Sequence, residues 1–174
     1  MKSREITIRV RLDAKTFRRF SCFDMLRLRK RWLRPALFAL ILIAFAAVAL
    51  ASGREQAGML AAVLLVVGLG LPLVYFGTFL SQVNMRAAEL TPPKAVYTVR
   101  LSFEGVEVTN DQKPEERVPL KWSQLAAAYR AKGCVYLYVN PARAFLLPDG
   151  QSDASDEALW EYLVKHMGGK CKRI

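Results

Sequence analysis

Few side chains in this sequence are of types and spacings that suit catalysis. His166, the only histidine, has no nucleophile and no pair of carboxylates at a fixed spacing from it. General acid–base and nucleophilic catalysis need such partners within hydrogen-bond reach. Ser123 and Ser155 also lack an obvious base. The sequence therefore predicts that the protein is not an enzyme and has no catalytic residue.

The three cysteines, Cys22, Cys134 and Cys171, suggest neither a metal site nor a disulfide framework. They show no C-x-x-C spacing and no Cys/His cluster, and their number is odd. We expect no metal and no cofactor. Cys134 begins an apolar stretch, so we expect it in a hydrophobic core.

Two apolar segments, Pro35–Ala51 and Ala57–Leu80, lie side by side and contain no charged residue. A bilayer core of about 30 Å needs roughly 20 apolar residues as a helix. Only residues 52–56 connect the segments, which favours an antiparallel hairpin. A buried soluble hairpin is the alternative, but 174 residues leave too little chain to surround two helices that are apolar all round. The pattern predicts a transmembrane hairpin at residues 35–80.

Pro72 and several small residues bear on how these two helices pack. Proline removes a backbone N–H inside a helix, so we expect a kink near Pro72. The kink could mark a discontinuous helix around a site, or it could be tolerated packing, which the absence of ionisable groups in both segments favours. Small side chains allow close helix packing, within the chain or between copies; they are Ala44, Ala47, Ala51, Ala57 and Ala61.

Most of the net charge of +11 lies in front of the first apolar segment. Residues 1–34 contain 12 Lys and Arg against 3 Asp and Glu, whereas residues 81–174 contain 13 against 11. By the positive-inside rule, both termini are predicted to be cytoplasmic. We expect the following residues to contact anionic lipid headgroups: Arg27, Arg29, Lys30, Arg31 and Arg34. Since the basic excess is not an aromatic-rich stripe on a folded domain, we expect no nucleic-acid partner.

The rest of the chain has the alternation of strands. Residues 5–11 place Ile6, Ile8 and Val10 on one side, which predicts a half-buried strand. Asp13 could cap a helix that is either an amphipathic helix in the headgroup layer or a packed connector. Residues 91–174 contain about six short strands, a polar loop at 110–115, and a terminal helix that starts near Asp153 or Ser155 and ends at Gly168. Its inward residues are Leu159, Trp160, Leu163 and Met167, and a basic tail follows.

The expected fold class is therefore an α+β membrane protein. A small cytoplasmic antiparallel sheet or partial barrel is closed by the C-terminal helix, and the N-terminal strand is expected to complete that sheet. The domains are a cytoplasmic strand and basic helix at residues 1–34, the hairpin at residues 35–80, and a β-rich domain at residues 91–174. A possible interaction face lies on the outward sides of the strands: Arg100, Lys121, Arg130 and Arg143.

Nearly the whole chain resembles the YcxB-like membrane protein family. The resemblance is carried by the order of the parts and by the stretches Val99–Val108, Val118–Leu125, Val135–Val139 and Ala144–Pro148. It implies a bacterial inner-membrane protein with a pleckstrin-homology-like domain and no established activity. The Lys/Arg pattern with which eukaryotic pleckstrin-homology domains bind phosphoinositides does not match Arg100, Lys113 and Arg117.

The function predicted from these features is that of a membrane-tethered interaction module. Its partners would be membrane lipids, an unknown protein or a second copy of the chain, and a tethered site can be weak because its effective concentration is high. One alternative is a small oligomeric transporter or channel subunit, which the absence of polar residues in the apolar segments disfavours. Another alternative is a regulatory or immunity-type membrane protein, which no particular residue supports.

Overall fold

A computed structural model describes residues 5–111 and 113–174. Residues 1–4 of the N-terminal segment and Gln112 of the predicted loop lie outside the described residues. The chain forms two compact units. One, the two-sheet unit, contains the described residues up to Phe17 together with Glu89–Ile174. The other, the helical unit, is Arg18–Ala88.

The helical unit contains two helices long and apolar enough to cross a membrane: α2, Leu33–Ala51, and α3, Ala57–Ala88. Only 11% of the most apolar window of each helix is buried within the chain. The helix α3 continues through Pro72 without a break. It also extends eight residues beyond Leu80, where the predicted apolar segment ends. Residues 81–88, which mix polar and apolar side chains, therefore lengthen the helix beyond the predicted apolar segment.

Small residues bring α2 and α3 close together, but on α2 they are not the predicted ones. A Cβ added at Gly68 would lie 3.1 Å from the Cβ of Leu42. Ala57 and Ala61 of α3 are buried, as is Ala46 of α2. Ala44, Ala47 and Ala51 instead lie on the exposed side of α2. The prediction that these three residues pack within the chain is therefore wrong. The helical period places Ala46, and not these residues, toward α3.

A short helix, α1, Ala14–Phe23, precedes a wide helical turn at residues 24–28. Asp13 caps α1 as predicted, since its Oδ1 accepts a hydrogen bond from the backbone N of Thr16 at 2.9 Å. Hydrogen bonding to Thr16 lowers the pKa of Asp13 below 3.8, despite some burial. A carboxylate with a lowered pKa stabilises the folded state above its unfolded pKa, and this contribution is lost as the pH falls through the lowered value.

The first sheet of the two-sheet unit has four antiparallel strands in the order β1-β2-β3-β4. Their bounds are Ile6–Leu12, Lys94–Leu101, Gly105–Asn110 and Lys113–Lys121. The strand β1 pairs with β2 along its whole length, although the helical unit separates them in sequence. The prediction that the N-terminal strand completes the sheet is confirmed. The predicted loop at 110–115 is shorter than expected, because β4 begins at Lys113.

The other edge of β1 is also paired, by residues 151–153. The backbone N of Thr7 donates to Asp153 Oδ1 at 3.0 Å, and the backbone N of Asp153 donates to Thr7 O at 3.1 Å. The side chain of Gln151 both accepts from and donates to the backbone of Arg11, at 2.7 and 2.9 Å. Both edges of β1 are therefore engaged in the two-sheet unit.

The second sheet has the order β7-β6-β5-β8. The strands β5, Ala127–Ala131, β6, Cys134–Asn140, and β7, Arg143–Pro148, are antiparallel, and β8, Cys171–Arg173, joins β5 in parallel. The predicted basic tail therefore includes an edge strand, which the sequence did not predict. The expected antiparallel sheet or partial barrel is thus divided into two sheets, and the described strands form no closed barrel.

The last helix, α4, Asp156–Met167, follows the prediction. Ser155 caps it by accepting a hydrogen bond from the backbone N of Ala158 at 3.2 Å. It ends at Gly168, whose φ of +55° favours glycine. All four residues of the predicted inward stripe are buried: Leu159, Trp160, Leu163 and Met167.

Candidate functional site

The outer side of the first sheet is a basic face. Alternation buries Ile6, Ile8, Val10 and Leu12 of β1 and leaves Arg9 and Arg11 exposed. Cross-strand register then sets Arg9 in a row with Thr98, Thr109 and Arg117 across all four strands. Arg100 lies in the neighbouring row, between Thr7 and Glu107. We call the basic face the set Arg9, Arg11, Arg100 and Arg117.

Acidic side chains also lie at the basic face. Asp111 Oδ1 accepts a hydrogen bond from Thr98 Oγ1 at 3.0 Å, and Glu5, Glu104 and Glu107 line one cavity together with Arg100. Arg117 Nη1 lies 3.6 Å from Glu107 Oε1, an exposed pair of small energetic value. Among the residues that the structure describes, no carboxylate lies within ion-pair distance of Arg9, Arg11 or Arg100. Arg9 and Arg100 are diagonal neighbours on adjacent strands, at a separation of roughly 7–8 Å between Cα atoms. Like charges at that spacing repel one another, so a bound anion between them would be stabilised.

The four predicted interaction residues do not share one sheet. Arg100 lies on β2 and Lys121 at the end of β4, both on the outer side of the first sheet and both exposed. Arg130 lies on β5 and Arg143 at the start of β7, both in the second sheet. The Cζ atom of Arg143 lies 5.2 Å from the ring centroid of Phe145, a cation–π contact.

Arg130 holds the start of α4 against the second sheet. Its Nη2 lies 3.3 Å from Asp149 Oδ2, and its Nη1 donates to the backbone O of Asp156 at 3.3 Å. The side chain of Arg130 is only 17% exposed. Burial raises the pKa of Asp149, although the positive charge of Arg130 opposes that rise. Arg130 therefore binds Asp149 and the backbone of Asp156 within the protein and is not part of an exposed interaction face.

Sequence reasoning missed Arg9, Arg11 and Arg117 as members of the interaction face. The signal for the first two was present, because the alternation that buries Ile8 and Val10 sends Arg9 and Arg11 to the opposite side. Their connection to Arg100 depends on the pairing of β1 with β2, which joins residues about ninety positions apart. No local pattern gives that register.

His166 lies in an aromatic cluster at one end of the two-sheet unit. Its ring stacks on Trp122 at 4.7 Å and lies 4.3 Å from the Tyr162 ring. Its Nδ1 is 2.8 Å from the backbone O of Tyr162, so this nitrogen donates to the carbonyl. Trp122 in turn donates to the backbone O of Ser102 and of Phe103, at 3.1 and 3.2 Å. The cluster ties α4 to the turn between β2 and β3.

Cys134 lies within the second sheet, and Tyr97 lies between the two sheets. Cys134 is 2% exposed, which confirms that it is a core residue, and burial raises the pKa of its thiol to about 12. A thiol with such a pKa is a poor nucleophile. The hydroxyl of Tyr97 donates to Leu146 O at 3.1 Å and accepts from Leu146 N at 2.7 Å. Burial raises the pKa of Tyr97, so the hydroxyl stays neutral and joins the two sheets.

Of the five basic residues predicted to contact headgroups, which lie before α2 and in its first turn, four are exposed and the fifth is paired. Arg29 Nε lies 2.9 Å from Asp24 Oδ2 within the wide turn, and Lys30 has a φ of +47°. The Trp32 indole N–H donates to Leu26 O at 3.1 Å, and its ring is 38% exposed. The exposed members of this group are Arg27, Lys30, Arg31 and Arg34.

Within the described part of the chain, His, Cys, Asp and Glu side chains form no group of three or more that could hold a metal ion. Comparisons of the chain with protein-family models, with curated proteins and with solved structures gave no match.

Proposed function

We propose that the protein is a bacterial inner-membrane protein of the YcxB-like kind, in which a membrane hairpin presents the two-sheet unit as a cytoplasmic interaction module. In this proposal α2 and α3 cross the bilayer, and both termini are cytoplasmic. The module would bind a protein or lipid partner and would catalyse no reaction.

The observation that carries the proposal is the pairing of β1 with β2. These strands stand immediately before and after the segments that contain the apolar helices, yet they are neighbours in one sheet. A sheet cannot form across a bilayer, so both ends of the hairpin have to lie on the same side. Two crossings satisfy this condition. The cluster of basic residues before α2 then favours the cytoplasm for that side.

The exposed apolar surface of the helices supports membrane insertion. Apolar patches of soluble proteins rarely exceed a few hundred Å². In α2 and α3, large side chains are exposed along both helices, among them Leu40, Val48, Val66 and Leu73, at 64–72%. A bilayer removes this surface from water and thereby stabilises the hairpin.

The order of strands in the two-sheet unit supports a pleckstrin-homology-like fold. Four antiparallel strands are followed by three more and then by a C-terminal helix that packs a buried stripe. The membrane hairpin would then be an insertion between the first and second strands. Folds of this kind serve as recognition scaffolds, and fold alone does not specify a ligand.

Photo-crosslinking in native membranes tests the interaction role. A photoreactive amino acid would replace, one at a time, three exposed or half-buried residues on different surfaces: Thr109, Phe103 and Lys132. We expect one of these positions to yield a dominant adduct with a single protein or lipid class. An equal, diffuse background from all three positions, at normal protein level, would argue against an interaction module.

A further inference from the structure

We propose that the basic face binds an acidic, extended segment of a protein partner. This inference rests on the proposed function, because it names the surface and the ligand chemistry of the interaction module. The side chains that would contact the ligand are Arg9, Arg11, Arg100 and Arg117.

The chemistry of these side chains favours carboxylates. A guanidinium group presents a planar fork of N–H donors that matches a carboxylate in two parallel hydrogen bonds. Arg9 and Arg100 are exposed and have no carboxylate partner among the described residues. Their separation matches that of alternate side chains, i and i+2, on one face of an extended peptide, so two acidic residues at that spacing could reach both. Arg117 Nη1 lies 3.6 Å from Glu107 Oε1 in an exposed ion pair, so that guanidinium is already partly neutralised.

The composition of the face favours a peptide over a bilayer surface. The described outer positions of the four strands are threonine, arginine, glutamate, proline and lysine, without a large apolar side chain that could enter lipid.

The same composition disfavours a single-stranded nucleic acid. Proteins that bind such strands stack bases on aromatic side chains within a basic groove. The described outer positions of β1 to β4 contain no aromatic residue. The exposed Phe103 belongs to the turn between β2 and β3, beyond the ends of those strands.

The test uses the full chain in nanodiscs of neutral phosphatidylcholine and a fluorescein-labelled oligoglutamate peptide, with binding measured by anisotropy. The variant R9E/R100E reverses two charges on the basic face. The matched control, K132E/K165E, makes the same change of net charge on exposed residues outside it. We expect R9E/R100E to weaken binding about tenfold, and the control less than about twofold. Added salt should weaken wild-type binding.

Four results would overturn the inference. Equal weakening in both variants would mean that net charge, and not the basic face, attracts the peptide. No binding by the wild type would exclude an acidic segment as ligand. Complete loss of peptide binding in nanodiscs that contain anionic phosphatidylglycerol would make lipid the occupant.

The neutral variant R9Q/R100Q, checked for an unchanged unfolding temperature, covers the case that R9E/R100E does not fold. A dominant crosslink from Phe103 or Lys132 alone would keep the proposed function while the inference fails.

Discussion

Residues 91–174 produced alone are expected not to fold, because they lack β1. That strand contributes four apolar side chains to the core, with exposures of 2%, 0%, 0% and 7% for Ile6, Ile8, Val10 and Leu12. Burial of one such side chain stabilises a protein by about 1.5–3 kcal/mol. The loss of four, roughly 6–12 kcal/mol, is comparable to the whole stability of a typical domain. The fragment would also lose the hydrogen bonds of β1 to β2 and to Gln151 and Asp153.

A fused chain supplies the matched comparison. Leu12 and Lys94 are register partners, so a two-residue Asn-Gly turn could join residues 5–12 directly to residues 94–174. Urea unfolding followed by circular dichroism should show a cooperative transition for the fused chain and none for the fragment. Replacing Ile8 with Asp in the fused chain should abolish the transition. A fragment 91–174 that unfolds cooperatively at the same urea concentration as the fused chain would show that β1 is dispensable.

Replacing Gly105 with Ala is expected to destabilise the two-sheet unit by about 3 kcal/mol or more, as severe overpacking does. A Cβ at this position would lie 2.2 Å from the backbone O of Leu120, and a backbone atom held in a sheet cannot move aside. Gly105 also begins β3 opposite Lys121. Ser102 closes the preceding turn by donating its backbone N to Gly105 O at 2.9 Å. The substitution therefore disturbs the sheet and the turn together.

Gly169 offers a matched control for this substitution. It lies in the same unit, an added Cβ would meet no atom within 4 Å, and its φ is not positive. Thermal unfolding of the full chain in detergent, followed by tryptophan fluorescence, should show a large downward shift for G105A. The shift for G169A should be small. Equal unfolding temperatures for G105A and the wild type would contradict the close approach of β3 and β4.

Local patterns in the sequence were sufficient for most of the helices and strands. Alternation of apolar and polar residues was sufficient to predict β1 and most of β2. The apolar stripe from Leu159 to Met167 was sufficient to predict α4, which Ser155 caps. Apolar length gave α2 and the first part of α3. In each case the residues that define the element are neighbours in the chain, so the pattern contains the necessary information.

The features that the sequence did not predict depend on contacts between distant residues. The strand β8 has only three residues, two of them basic, and it exists because it pairs with β5. The burial of Arg130 depends on Asp149 and on the backbone of Asp156. The basic face depends on the β1–β2 register. Each of these belongs to tertiary structure, which overrides local propensity.

Cysteine labelling tests most directly whether the hairpin loop and the two-sheet unit lie on opposite sides of the membrane. The native cysteines would be replaced, Cys22 and Cys171 by Ser and Cys134 by Ala, and single cysteines introduced by S52C or K132C. Intact cells would then be treated with a membrane-impermeant maleimide. If the hairpin crosses the membrane twice, S52C should be labelled in intact cells, and K132C only after the membrane is permeabilised. Labelling of both positions in intact cells, or of neither until permeabilisation, would contradict a hairpin that crosses the membrane twice.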